Sequence, residues 1–343
     1  MSVLQNCDQD RPTNRQRGLH VIVLLLSQIV FVSAGRASAA EQIPVILSTD
    51  VGNEIDDQWA VAYMLTNPQF DVLGIISAQA PTLPPPAAHT TYLVLRDEVE
   101  NRLGMRSHPP LFEGSSLPLP DAKTPRPNAG VDFIIHSSRE FSSDHRLTLL
   151  TIGAATDAAS AIIEDSSITD RIRIVAMGFR SWPNGGEEFN VANDVAAWQA
   201  ILSSDVPVAV GCGDVCRANL SLTLEQARNL ISRHGPVGAW LWDEFQAWYY
   251  RFVKPMRTND LSKPWVIWDT VVLAYVEGLT TQETYPRPVL KDDMNFEPGQ
   301  AGKTITWVTA IDSARMWPDF IQKLDAYQRT HRVEGSAPAP FLP

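Results

Sequence analysis

The densest chemistry in the chain lies in VILSTDVGNEIDDQWAVAYML, where a β-branched run ends in Asp50, a glycine-bearing turn follows, and Asp56 and Asp57 open a helical pattern. Carboxylates crowded on one loop repel one another unless a hard cation neutralises them. Calcium suits such a set, because it takes about six to eight oxygen ligands and accepts carboxylates through one oxygen or both. A divalent-cation site is therefore one reading of the segment. The other is an acidic helix start, in which Asp56 and Asp57 serve only as cap and dipole partners.

In open α/β sheets ligands bind beyond the carboxyl ends of the strands, so the elements that feed this segment decide what it can do. From Pro44 onward PVILST, DDQWAVAYML, FDVLGIIS and HTTYLVLRDEVENRL alternate between strand and helix patterns. The rhythm returns with LTLLTI and an Ala-rich helix over 155–163, with IRIVAM, and with VPVAVG before a helix that follows Leu222 and takes Thr223 as its cap. This alternation predicts an α/β fold, an open, mostly parallel, Rossmann-like sheet flanked by helices, in one domain over 41–333. The Pro-rich stretches 81–87 and 117–130 are expected to be surface loops. A helix through Phe320 to Thr330 gives way to a solvated tail over 334–343.

Composition narrows the partners. The 343 residues include 28 basic and 39 acidic side chains, a formal net charge of −11, which disfavours nucleic acid polymers. Small neutral ligands and cations fit better. Arg11, Arg15 and Arg17 precede an apolar run over 21–32 and small residues at Ala37, Ser38 and Ala39, the pattern of a secretory signal peptide over 1–40. That run is about a dozen residues, short of the roughly 20 that span a bilayer, so an exported protein, periplasmic or extracellular and with no stable membrane association after cleavage, is expected. Removing the signal removes Cys7 and leaves Cys212 and Cys216, either as a local disulfide or as two unpaired thiols.

A haloacid dehalogenase-type phosphatase also sets an aspartate pair after a strand, but its nucleophile position is Ser48 here. The chain instead resembles the nucleoside hydrolase family, the inosine-uridine-preferring nucleoside N-ribohydrolases. Ser48, Asp50, Gly52, Asp56 and Asp57 match that family's opening DxDxGxDD, with two extra residues inside the turn, as in a divergent branch carrying TDxGNExDD. TIGAATDAASAI is similar to its GPLTNxA element, PLFEGSSLPL to PVxxGxxxPL, EFNVANDVAAWQAIL to EFNxxxDPEAA, and KPWVIWDTVVLAYV to HDPxAxAY.

The resemblance implies calcium ligated by Asp50, by Asp57 through both oxygens, by the backbone carbonyl of Thr156, and by Asp269. It implies ribose contacts from Asp56, Asn184, Glu188 and Asn190, with Phe189 near the sugar, a nucleoside or furanoside substrate, and leaves a homo-oligomer open. Cleaving an N-glycosidic bond passes through an oxocarbenium-like state and needs an activated water, a task that falls to Asp50 beside the metal. Where many family members carry a His before the last Asp ligand, this chain has Trp268, which stacks but gives up no proton. Gln79 is a substitute for an absent sugar-binding Asn, with His89 nearby. Trp248 or Tyr249, in an aromatic-rich helix, is a candidate wall for a base pocket. The alternative to a hydrolase is a calcium-stabilised sugar-binding protein of the same fold without turnover.

Overall fold

β1 (Ile43–Thr49) is buried along all but its first residue, as a strand covered on both faces must be. The computed structural model that contains it describes residues 42–331 except 254, 256–261, 300 and 301. The expected signal peptide and C-terminal tail lie outside the described residues. After β1 come α1 (Asp56–Leu65), β2 (Phe70–Ser77), α2 (Ala87–Asp97), β3 (Leu111–Glu113), α3 (Ala129–Ser137), β4 (Leu147–Thr151), α4 (Thr156–Glu164) and β5 (Ile172–Met177). The chain continues through α5 (Phe189–Asn193), α6 (Val195–Ser203), β6 (Val208–Gly211), α7 (Gly213–Asn219), β7 (Ser221–Leu222), α8 (Leu224–Ile231) and α9 (Gly235–Trp248). It ends with β8 (Trp265–Val266), α10 (Thr270–Val276), β9 (Thr280–Pro286), β10 (Val289–Leu290), β11 (Phe296–Glu297), β12 (Thr304–Ile311) and α11 (Ser313–Thr330).

Eight strands form the central sheet in the order β3-β2-β1-β4-β5-β6-β12-β9. Every neighbouring pair is parallel except β12 and β9, so the expected mostly parallel α/β architecture is what the chain adopts. β9 is mostly exposed, as an edge strand that needs no helix over it. The chain builds outward from β1 to β2 and β3, then returns to place β4 on the other side of β1. That reversal opens a crevice beyond the carboxyl ends of β1 and β4, where Asp50 and Gly153 sit.

α1 is buried over nearly its whole circumference, including Asp56 and Asp57 at its start. Trp59 locks it in place, with ring centroids 6.0 Å from Phe245 on α9 and 6.0 and 6.3 Å from Trp317 and Phe320 on α11. Packing from two other helices thus fixes the direction in which α1 aims its first turn. The local signals behave as their chemistry demands: Thr223 and Gln226 close a reciprocal capping box on α8, and Asn128 caps α3 by accepting from Gly130 N and Val131 N. α11 starts upstream of the expected position because Asp312 caps it, which leaves Pro318 inside the helix rather than ahead of it. Among the described residues no helix is long and apolar enough to cross a membrane.

Candidate active site

Asp50 leaves β1 at the crevice, and its carbonyl accepts the amide of Asn53 at 3.1 Å, which closes the turn that delivers α1. Gly52 in that turn has φ +101°, a conformation open to glycine and strained for other residues. A second glycine is demanded at the end of β4. A Cβ on Gly153 would lie 2.8 Å from Asp50 Oδ1 and 2.9 Å from Asp50 N, so only a bare backbone lets β4 approach this closely. Asp269, immediately before α10, arrives from the far end of the chain because α10 packs on α1. One carboxylate oxygen from each of Asp56, Asp57 and Asp269 lies within 4.8 Å of the others.

All four aspartates are buried, with 1% of Asp50, 4% of Asp56, 2% of Asp57 and 2% of Asp269 exposed. Thr49 Oγ1 donates to Asp57 Oδ1 at 2.5 Å, while Asp50 Oδ2 and Asp56 Oδ1 are sealed from solvent with no hydrogen-bond partner. Burial, and then the charge of Asp56, raises the Asp50 carboxyl well above its ordinary range. Asp57 is raised by burial and by Asp50 and Asp56, and Asp269 by burial and by Asp56, Asp57 and Asp50. Asp56 is raised by burial to about 6, with hydrogen bonding around Trp268 and Asp269 offsetting part of that burial. Clustered, desolvated and partly unpartnered oxygens cost free energy as they stand. The same oxygens are the donor set that a hard divalent cation uses, so the residues fit calcium.

The aspartates form the floor of a cavity of about 310 Å³. Of the expected residues, Asp50, Asp56, Asp57, Glu188, Phe189, Asn190, Trp268 and Asp269 line it together. Glu188 caps α5, accepting from Asn190 N at 3.1 Å and Val191 N at 3.0 Å, and burial raises its carboxyl to about 7. Asn190 Nδ2 donates to Ile152 O at 3.0 Å, tying the start of α5 to the end of β4. Phe189 stands at the rim, 38% exposed. The Arg217 guanidinium lies 5.2 Å from the Trp268 ring centroid, a cation–π contact.

Two expected site residues lie elsewhere. Thr156 is the first residue of α4, does not line the cavity, and its carbonyl accepts from Ser160 Oγ at 2.8 Å. Helix carbonyls point toward the C-terminal end, away from the strand end the helix follows, so this oxygen is turned from the crevice. The residue that faces the cavity from this connection is Ile152, directly after β4. Asn184 is exposed in the turn between Ser181 and Gly185, where its carbonyl accepts from Phe296 N at 3.0 Å, and it too is outside the cavity.

The secondary suggestions fare similarly. Gln79 is buried and donates to Asn193 O at 2.9 Å, and His89 pairs with Glu113 at 2.8 Å, neither in the cavity. Tyr249 is fully buried with its hydroxyl on Lys263 O at 2.6 Å, and Trp248 packs toward Trp265, which lines the cavity with Trp268 and Phe189. Cys212 and Cys216 are buried free thiols. Sequence reading missed Glu54, Ile152, Arg180, Arg217 and Trp265, all of which line the site. Only Glu54 had a legible signal, its place inside the acidic turn.

Residues 45–318 match the family model described as inosine-uridine preferring nucleoside hydrolase. A search of curated proteins gives no match. Among solved structures, a plant nucleoside hydrolase superposes with TM-score 0.65 at 17% identity, covering 83% of this chain and 99% of that one. A purine-preferring ribonucleoside hydrolase from Gardnerella vaginalis gives 0.64 at 20% identity, covering 84% and 99%. An inosine-uridine preferring nucleoside hydrolase from Bacillus anthracis gives 0.60 at 17% identity, covering 83% and 100%. At such identities the structural likeness speaks for the fold, while the family model speaks for the chain.

Proposed function

The chain belongs to the inosine-uridine preferring nucleoside hydrolase family, and from that membership we propose that it uses calcium to hydrolyse the N-glycosidic bond of ribonucleosides or related furanosides. The observation that carries the metal and the base is the pair of buried, unpartnered oxygens, Asp50 Oδ2 and Asp56 Oδ1, in the cavity lined by Asp50 and by the cluster of Asp56, Asp57 and Asp269. Asp50, Asp57 and Asp269 would hold the ion. The backbone oxygen best situated to join them is that of Ile152, in place of Thr156. When bound, calcium supplies Lewis acidity toward a water and cancels the repulsion among the carboxylates.

Asp50 takes the proton of the attacking water through Oδ2 as the water adds to C1′. The bond from C1′ to the base nitrogen breaks, and its electron pair leaves with the base. Asp56, Glu188 and Asn190 grip the 2′ and 3′ hydroxyls, contacts that strengthen as positive charge develops on the ring. A site built to bond hydroxyls disfavours substrates that lack them, so ribosides are preferred over deoxyribosides. Trp268 offers the departing base a ring to stack on, and Phe189 closes over the sugar from the rim. Membership in a hydrolase family favours turnover over the purely sugar-binding alternative. Export to the periplasm or cell exterior is part of the proposal, resting on the N-terminal sequence pattern alone.

Purified protein incubated with purine and pyrimidine nucleosides and calcium should release reducing sugar. Chelation should stop the release, and Asp50→Ala should lower kcat by about 10² to 10⁴, the usual worth of a general base. Release that is indifferent to both chelator and Asp50→Ala would remove this mechanism.

A further inference from the structure

The segment that carries Trp268 and Asp269 hangs on α7 and β7. β8 pairs antiparallel with β7, Leu222 opposite Trp265, and Ile267 N donates to Leu220 O at 3.1 Å. Cys216 Sγ donates to Trp268 O at 3.6 Å, and the guanidinium of the next residue, Arg217, lies over the Trp268 ring, 5.2 Å from its centroid. Two successive residues of α7 thus hold the carbonyl and the ring of one tryptophan. The helix is itself fastened at its start, where Gly213 N donates to Phe179 O at 2.9 Å and Asp214 N to Arg180 O at 3.0 Å. Among the described residues Arg217 has no ion-pair partner, so no carboxylate cancels the charge it brings to the ring.

On the hydrolase reading proposed above, on which this inference rests, the bond from C1′ to the base nitrogen breaks with its electron pair on the base. Trp268, the ring offered to that base, gives up no proton, and neither does a guanidinium. An indole face is electron-rich and by itself opposes negative charge stacked on it. A cation held against one face offsets that, and leaves the other face to the base. We infer that Arg217 is a positioning residue for base departure: it holds the Trp268 ring from one side, and its charge makes the opposite side receptive to the negative charge that gathers on the leaving base. The base leaves as an anion and takes its proton from water afterwards. Arg217 touches the ring and not the base, so its effect scales with how much charge the leaving group must carry. Nucleosides, whose bases are poor anions, depend on it, whereas a riboside with a stable anion as leaving group does not.

The test compares inosine with 4-nitrophenyl riboside on the calcium-loaded protein, in wild type, in Arg217→Met, which keeps the length of the stem without its charge, and in Arg217→Lys, which keeps the charge. Arg217→Met should lower kcat/KM for inosine at least about tenfold and for the nitrophenyl riboside less than about threefold, and Arg217→Lys should recover most of the loss on inosine. An unchanged kcat/KM for inosine in Arg217→Met, an equal fall on both substrates, or a Lys variant no better than the Met variant would overturn the inference. A second measurement needs no turnover. In calorimetric titrations the wild type should bind 4-nitrophenolate at least about threefold more tightly than the neutral, similarly shaped 4-nitroaniline, and Arg217→Met should lose this preference. Equal binding of the two by the wild type, or a preference that survives in Arg217→Met, would also overturn it. Wild-type protein that hydrolyses neither riboside would count against the hydrolase reading, and the binding comparison would then decide the role of Arg217 by itself.

Discussion

Asp50, Asp57 and Asp269 come from opposite ends of the sequence, and burial makes each of them hard to ionise without company. The acids of the first loop were legible, because a strand that ends in Asp, a glycine turn and a helix that opens with two more acids has few places to point, whereas Asp269 was reached only through the family resemblance. Thr156 was not legible in the same way. Whether a carbonyl of this connection faces the crevice depends on where β4 ends and α4 begins, and of Ile152 and Thr156 it is Ile152 that lines the cavity. Arg180, Arg217 and Trp265 carry no local signal at all, since exposed arginines and a tryptophan in a two-residue strand are shared by countless surfaces. Trp268 has a role that substitution can isolate. If its ring supports the departing base, Trp268→Ala should lower kcat/KM by about tenfold, in line with the roughly 0.5–1.5 kcal/mol of aromatic stacking, while Trp268→Phe recovers most of it. Steady-state kinetics on one nucleoside would settle this, and an unchanged kcat/KM in Trp268→Ala would move the base elsewhere.

Among the elements, the six-strand parallel run from β3 to β6 could be read from alternating β-branched and helical patterns, whereas β9 and β12 could not be ordered. Sequence spacing does not say whether a late strand adds parallel or turns back, and β9 turns back because no helix covers it. α1 was found from its acids rather than from amphipathicity, since both of its faces are buried. The fit between elements that bears most directly on the site is that of the end of β4 against Asp50 at Gly153. Gly153→Ala should cost about 1 to 3 kcal/mol of stability through forced backbone movement, and displace Asp50 enough to weaken calcium binding. Urea unfolding checks the first effect and metal titration the second. Full stability and normal calcium affinity in the Gly153→Ala variant would show that the approach is looser than the structure has it.

For the molecule as a whole, the site trades stability for function, and pH reveals the trade. Asp56 and Glu188 have folded pKa values raised to about 6 and about 7, above the ordinary carboxylate range. Between the ordinary and raised values the folded state binds more protons than the unfolded one, so stability falls as pH rises. Metal-free protein should therefore melt at a lower temperature at pH 8 than at pH 5.5, while added calcium, which needs deprotonated ligands, should raise the melting temperature most at pH 8. Thermal melts with and without chelator check both signs. The most direct test of the metal centre is calorimetric titration of calcium into chelator-treated protein at pH 8. One ion per chain is expected, with binding lost or weakened at least about a hundredfold in Asp57→Asn and Asp269→Asn, since each removes a charged ligand. No calcium binding by the folded wild type, or binding that Asp269→Asn leaves unchanged, would contradict it.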